Sequence, residues 1–528
     1  MFQLIYESNK DRLNNIALIY FNRKIAYKEL FSRIRIISSA LISNGIKHGD
    51  IVIVCSANTP ETIELIYALN NIGAIVDLVP VSATANDISR EMVDLNVKAA
   101  FILDGMLNKM NIVNCDIPII ELSVGESAKG IAGFVMRSSL KKHKYISFEK
   151  YISGEDVEIE EIRDANLPAI ILHTSGTTGA PKHAVLTNEN LNAIAIQMPE
   201  TGKNYRTDDI FLNMLPPSIS FGIGMLHLSL FTGMCMVILL IPSVKGVASM
   251  FKKYRPTRFV FGPAVIEVIE RCPNKDLSHI IDLSAGGAAI SLTKEKSINN
   301  LLKKKNCNSA YLAGYGMTEL SSAAALNHNN CYKYQSVGIL LPLLNAKIID
   351  TDTGEELKYG EEGELLICGP TVMNGYWGNA DESDSIFEYD DEGNKWLHTG
   401  DLATFDSDGF LFITGRIKRI YTTLDDGNVY KLFPQRIEDI LTKIKEIDQV
   451  GVICVEDRVR QNVPVAFVKI KNSTSVELVK QVIETTMKES APKYYSIHEI
   501  MIVDEIPVTS SQKVDYKKLE YTYNCMIS

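Results

Sequence analysis

Thr174-Ser175-Gly176-Thr177-Thr178-Gly179-Ala180-Pro181-Lys182 is the stretch on which the reading of this chain turns. It follows the apolar run Ala169-Ile170-Ile171-Leu172, so it stands where a buried strand ends and a loop begins. Gly176 and Gly179 let the backbone turn tightly and aim N–H groups at an anion. The neighbouring hydroxyls and the Lys182 ammonium add donors around the same point. This is phosphate-binding chemistry, although it lacks the GxxxxGK[ST] spacing of a Walker loop. A Gly/Ser/Thr cluster alone is most often a polar surface loop; the whole nine-residue string is far rarer by chance.

Upstream, the chain reads as α/β. Leu30, Ile34, Ile37 and Leu41 recur at helical spacing, and Gly45 is placed to end that helix. Residues 51–55 (IVIVC) read as a buried strand. Thr59-Pro60-Glu61 then starts a helix with a capping hydroxyl, a first-turn proline and an acid at the positive end. That helix runs to about Asn71, and Gly73 turns the chain into a second buried strand at 74–79. Strand, helix and strand in this order build a parallel sheet. Further apolar runs at 99–103, 259–261 and 280–283 extend the pattern.

Downstream of about residue 335 the character changes. Segments 346–349, 363–368, 396–399 and 410–414 read as short strands between Gly- and Asp-rich turns, a β-rich subdomain. After Arg416 comes a small α+β module: helices at 434–445 and 476–488, strands at 450–455, 464–470 and 498–503. The expected fold is therefore α/β. A large N-terminal domain (1–416, its β-rich subdomain about 335–416) precedes a small mobile C-terminal domain (417–528).

Composition excludes several classes. The 528 residues carry a formal charge of −10, 46% hydrophobic and 22% charged residues, which fits globular domains with no long disordered tail. No Lys/Arg block offers a nucleic-acid footprint. The nine cysteines form no CxxC pair, which fits a reducing, cytoplasmic compartment. The opening MFQLIYESNKDRLNN has no long apolar signal core. Residues 210–244 contain no Asp, Glu, Lys or Arg and approach the roughly 20 apolar residues of a membrane span. Pro216-Pro217, His227 and Gly233 argue against one. The expectation there is a buried helix, a turn near Thr232-Gly233, and a buried strand at 235–241.

The nine-residue string resembles the phosphate-loop signature TSGTTGxPK of the adenylate-forming superfamily, which includes acyl- and aryl-CoA synthetases, peptide-synthetase adenylation domains and luciferase. The resemblance extends along nearly the whole chain. Ala26-Tyr27-Lys28-Glu29-Leu30, Gly45, Gly49-Asp50, Asn58, Glu61 and Gly73 match its N-terminal pattern. Gly314-Tyr315-Gly316-Met317-Thr318-Glu319 matches YGxTE. Ser336-Val337-Gly338, Gly363-Glu364-Leu365, His398-Thr399-Gly400-Asp401 with Gly415-Arg416, and Pro507-Val508-Thr509 with Lys513-Val514-Asp515 follow in order. The resemblance implies transfer of AMP from ATP to a carboxylic acid, release of pyrophosphate, and passage of the acyl group to a thiol. It implies that Thr174, Ser175, Gly176, Thr177, Thr178, Gly179 and Lys182 hold the β- and γ-phosphates. It places Glu319 on Mg²⁺, Thr318 on the α-phosphate, and Tyr315 and Gly316 against adenine. Gly286-Gly287-Ala288 would line the adenine and acyl sites, Asp401 and Arg416 would fix the ribose, and Lys513 would complete the adenylation site. Phe221, Gly222 and Gly314 are the candidate acyl-pocket residues.

Four positions depart from the family pattern. His183 follows Lys182 where glycine is usual. Ile219 occupies the histidine position of LPxxHxxG. Arg419 stands at the hinge where many relatives have Asp, before a longer loop to Gly427 and Pro434. Gln512 replaces the glycine before the terminal lysine. The charge-free stretch offers no Asp for an amino group, so an apolar or aromatic acid is favoured over an amino acid. The expected partners are that acid, ATP with Mg²⁺, and CoA or a phosphopantetheinyl carrier protein. A carrier loader, an ATP-binding scaffold without turnover and, from residues 210–244 alone, a transporter are the other readings.

Overall fold

The computed structural model describes all residues except 108–116, 129–144, 154–157, 160–163, 175–181, 242, 262–264, 288–289, 291, 472–474, 510–512 and 528. Two large sheets organise the first two-thirds of the chain. In one, the strands Pro168–Thr174, Ile75–Leu78, Ile51–Cys55, Ala99–Leu103, Ile119–Leu122 and Ile146–Ser147 lie parallel in that order. Lys182–Thr187 adds antiparallel to Pro168–Thr174, and Gly375–Tyr376 closes that edge. In the other, Tyr311–Tyr315, Asp282–Ala285, Arg258–Phe261, Ile210–Asn213, Cys235–Ile238 and Ile16–Tyr20 form the parallel core.

The continuous apolar runs are explained by burial on both faces. Val52 and Val54 point into the cluster that holds helices Tyr27–Ser43 and Pro60–Asn71, while Ile51, Ile53 and Cys55 face a second cluster with helix Ala85–Asp94. Leu212, Val237, Phe259 and Leu283 face a third cluster on the outside of the second sheet. Helix Pro60–Asn71 starts as its sequence dictates, with the Thr59 hydroxyl accepting from the Thr62 N–H. Residues 210–244 divide into strand Ile210–Asn213, helix Ser220–Phe231 and strand Cys235–Ile238. Ile241 is exposed, so the second strand is shorter than expected. Among the described residues no helix is long and apolar enough to cross a membrane.

The β-rich sheet runs Asn345–Ile349, Gly363–Cys368, Lys395–Phe405 and Phe387–Tyr389, with Leu411–Arg416 also on Lys395–Phe405. Past Arg416, the segment expected as a loop is a β-hairpin, Tyr421–Asp425 against Asn428–Leu432. Its turn is Asp426-Gly427, both at positive φ (49° and 79°), the two-residue geometry that suits strand twist. The strands Ile447–Asp457, Gln461–Ile470 and Glu499–Ile502 follow. Helices Pro434–Leu441 and Val476–Ser490 cover one face of this sheet, and Tyr516–Ile527 the other.

Arg419 is built into this small body. Its guanidinium pairs with Glu438 at 2.9 Å, donates to the Val452 carbonyl at 2.8 Å and lies 3.7 Å over the Tyr516 ring. Glu438 is 5% exposed and also accepts from the Val452 N–H. Removing one partner of such a pair leaves an uncompensated buried charge. Arg419→Met should therefore cost about 3 kcal/mol, read as a lower urea midpoint of the intact chain. An unchanged midpoint would show that the pair contributes nothing.

Candidate active site

The expected phosphate loop is anchored by a strand pair. Thr174 ends one strand and Lys182 begins the next, and the two are directly opposed in the register. Ser175, Gly176, Thr177, Thr178 and Gly179 lie outside the described residues, as do Ala288 and Gln512. Lys182 makes an ion pair with Glu382 on the short helix Ala380–Asp384, and its ammonium stands 4.7 Å over the Tyr376 ring. The Tyr376 hydroxyl donates to Glu319 Oε1 at 2.8 Å. One tyrosine thus joins Lys182 to Glu319. Its phenol is pushed far above the ordinary range, first by burial and then by the Glu319 carboxylate. Tyr376 and Glu382 were not among the expected residues. The Gly375-Tyr376-Trp377 tripeptide in a Gly-rich region was their only local signal.

Glu319 sits in a single 3-10 turn, Thr318–Leu320, following strand Tyr311–Tyr315, so Thr318 and Tyr315 come to the same region. Gly316 is needed for close approach: a Cβ there would lie 1.7 Å from the Ser322 carbonyl oxygen. The Tyr315 hydroxyl donates to Asp401 Oδ2 at 2.6 Å, and the Arg416 Nε meets Asp401 Oδ1 at 2.6 Å. Asp401 is only 2% exposed. Burial raises its carboxyl above the ordinary range, against the pull of Arg416, Tyr315 and Lys513. Asp401 and Arg416 are cross-strand partners, Lys395–Phe405 against Leu411–Arg416.

Lys513 lies near the far end of the chain, where the Thr509 N–H donates to the Lys513 carbonyl at 2.7 Å and the Lys513 N–H donates to Thr509 Oγ1 at 3.2 Å. The residue is exposed; partial loss of hydration, and then the Arg416 charge, lower its ammonium below the ordinary lysine range. Asp401 and Glu319 oppose that shift. Lys513, Arg416, Asp401 and Glu319 therefore share one electrostatic neighbourhood.

The expected acyl-pocket residues divide. A Cβ on Gly286 would meet the Phe221 ring at 3.5 Å and the Gly314 carbonyl oxygen at 3.8 Å, so these three come together. Gly287, at φ 95°, has open space around it. Gly222 is instead pressed onto the Pro216 carbonyl, where a Cβ would lie 1.9 Å away. Ile219 caps the helix that carries Phe221. His183 is half-buried and meets Glu91 at 2.5 Å.

The pattern of the AMP-binding enzyme family matches residues 5–377, and that of the AMP-binding enzyme C-terminal domain matches residues 436–513. The chain belongs to the AMP-binding enzyme family. Among its relatives, a probable CoA ligase, CCL5, of Humulus lupulus is 27% identical over 505 residues, covering 94% of this chain and 88% of that one. The 4-coumarate–CoA ligase CCL1 of the same plant is 26% identical, covering 93% and 87%. ATP-bound MatB from Rhodopseudomonas palustris shares the fold, with a TM-score of 0.84 at 21% identity over all of both chains. The apo form of that protein gives 0.74, also over all of both chains.

In this AMP-binding enzyme the Tyr376–Glu319 bond joins a buried tyrosine to a half-buried carboxyl group. Tyr376→Phe keeps the ring under Lys182 and removes only the donor. It should lower stability by about 1.5 kcal/mol, measured by urea denaturation. An unaltered midpoint would mean that the two groups do not meet in solution.

Proposed function

We propose that this protein joins an apolar or aromatic carboxylic acid to coenzyme A through an acyl-adenylate, with ATP consumed to AMP and pyrophosphate. The observation that carries this reading is the position of Lys513. A lysine from the small C-terminal body comes within electrostatic reach of Asp401, Arg416 and Glu319 of the large one. Greater likeness to the ATP-bound than to the apo form of MatB supports the same pose.

In this reading a free carboxylate must attack the α-phosphorus of a polyanion, so the main task is to neutralise charge. Lys182, released from Glu382, meets the outer phosphates at the base of the 174–182 loop. Glu319 offers a carboxylate oxygen, held in place by Tyr376, for Mg²⁺; one carboxylate plus phosphate oxygens suits that ion, which when bound screens phosphate charge. Asp401 exchanges the Tyr315 hydroxyl and part of its Arg416 contact for the ribose hydroxyls. Lys513 supplies a compact charge where carboxylate and α-phosphate meet. The thiol then attacks the acyl carbon, and AMP departs as leaving group.

The acid preference rests on the surroundings of Phe221. The helix that carries it has no charged side chain, and its one histidine, His227, is held neutral by complete burial between Tyr67 and Asn192. An ammonium group would find no partner there. CoA as the thiol follows the names of the relatives. The chain is read as dividing near Arg416, with residues 417–528 turning as a unit between the two half-reactions. Two ion pairs, Lys431–Asp352 and Arg436–Glu362, cross from that part to the β-rich sheet; exposed pairs of this kind are weak enough to yield. The described cysteines are all free, which supports a cytoplasmic setting.

The test is acid-dependent exchange of labelled pyrophosphate into ATP across aliphatic, aryl and amino acids, followed by product analysis with CoA and with a phosphopantetheinylated carrier. Exchange should occur with apolar or aryl acids, and Lys513→Ala should depress it about 10²-fold or more without moving the thermal midpoint. No exchange with any acid would replace this reading with that of a non-catalytic ATP-binding protein. Full exchange by Lys513→Ala would remove Lys513 from the chemistry.

A further inference from the structure

Next to Thr174 and Lys182 on their strand pair lies a group of side chains that the reaction above does not use. His173 and His183 are opposed across the strand pair, one register step before Thr174 and Lys182. Their rings meet edge to face with centroids 5.1 Å apart. Glu91, on helix Ala85–Asp94, reaches both: 2.5 Å from His183 Nε2 and 3.8 Å from His173 Nδ1. Asp77, fully buried on the adjoining strand, meets His173 Nε2 at 2.7 Å. The His173, His183 and Glu91 side chains are 9%, 15% and 3% exposed.

The Asp77 bond fixes the tautomer. With the Nε2 proton donated to Asp77 Oδ1, the Nδ1 lone pair of His173 is left facing a Glu91 oxygen. Two acceptors confronting each other in a protein-enclosed space need something positive between them. One ligand atom each from Glu91, His173 and His183 can be chosen within 4.8 Å of one another. Zinc-class ions hold N and O ligands at about 2.0–2.2 Å, which puts tetrahedral ligands roughly 3.3 Å apart. The carboxylate presents Oε2 to His183 at 2.5 Å and Oε1 to His173 at 3.8 Å, so a single carboxylate serves both rings. An outer carboxylate on the far nitrogen of a ligand histidine is the usual second layer of such sites. Arg90, whose Nη2 lies 4.0 Å from Glu91 Oε1, is the nearby opposing charge. Asp77 and Glu91 outnumber it.

We propose that Glu91, His173 and His183 bind one divalent transition-metal ion of the zinc class, with Asp77 orienting His173 and a fourth position left for water. Two imidazoles select zinc, cobalt or nickel over magnesium, so this ion is distinct from the one expected at Glu319. It ties helix Ala85–Asp94 to both strands at the base of the phosphate loop. The proposal does not depend on which acid the protein activates.

The test uses the full chain, freed of metal with a chelator and titrated with Co²⁺ in the absence of ATP. Ligand-field bands should appear at one equivalent, vanish on adding Zn²⁺, and be absent in His183→Gln and Glu91→Gln variants that keep the wild-type circular dichroism. Asp77→Asn should weaken binding about 10-fold. Should one variant not fold, the other decides. Folded wild type that takes up no stoichiometric Co²⁺ or Zn²⁺ overturns the proposal and leaves a proton between the acceptors. Bands unchanged in the variants, reporting cysteine binding elsewhere, overturn it equally.

Discussion

Asp401 is the constraint on which the arrangement rests. A carboxylate this deeply buried is tolerated only when its charge is answered, and here the answer comes from two directions. Arg416 is its cross-strand partner, and Tyr315 ends a strand of a different sheet. One acidic group thereby ties the β-rich sheet and the second large sheet to a single point. Lys513, from the C-terminal body, adds a more distant positive charge. In the proposed reaction a ribose, with two hydroxyl donors, would replace the neutral Tyr315 donor, which gives up less than a charged partner would.

The second anchor is Tyr376. It belongs to the edge strand added to the first sheet, and it touches both the lysine at the foot of the phosphate loop and the carboxylate after strand Tyr311–Tyr315. The two large sheets, with helices between them, would otherwise present these charges independently. The tyrosine fixes their separation in the same way that Asp401 fixes Tyr315 against Arg416.

Much of this was legible in the sequence. Residues 51–55 and 363–368 are strands with the bounds their apolar runs give, and Thr59-Pro60 starts its helix. Those features depend on neighbours in the chain. The strand expected at 280–283 falls instead at Asp282–Ala285, because Asp282 is stabilised inside it by Arg258 and by Lys203, 79 residues away. The strand expected at 396–399 runs from Lys395 to Phe405, since its pairing with Leu411–Arg416 carries it past Gly400 through a register shift. The hairpin at 421–432 carries a local signal, Asp426-Gly427 between β-branched and aromatic residues, although a loop is expected there from the family pattern. At the site, motif order named Lys182, Glu319, Asp401 and Lys513 as expected residues, and the structure sets Glu319 on Tyr376 and Asp401 on Arg416. Tyr376, Glu382 and the His173–His183–Glu91 group depend on contacts between distant segments, which no local pattern encodes.

The most direct measurement is a crystal structure with a non-hydrolysable acyl-adenylate analogue. The account predicts ribose hydroxyls on the Asp401 carboxylate, the acyl group against Phe221 and Gly286, and the Lys513 ammonium within about 3 Å of the phosphoryl-equivalent oxygens. An analogue bound away from Asp401, or a Lys513 turned to bulk solvent while the analogue fills the site, would contradict it.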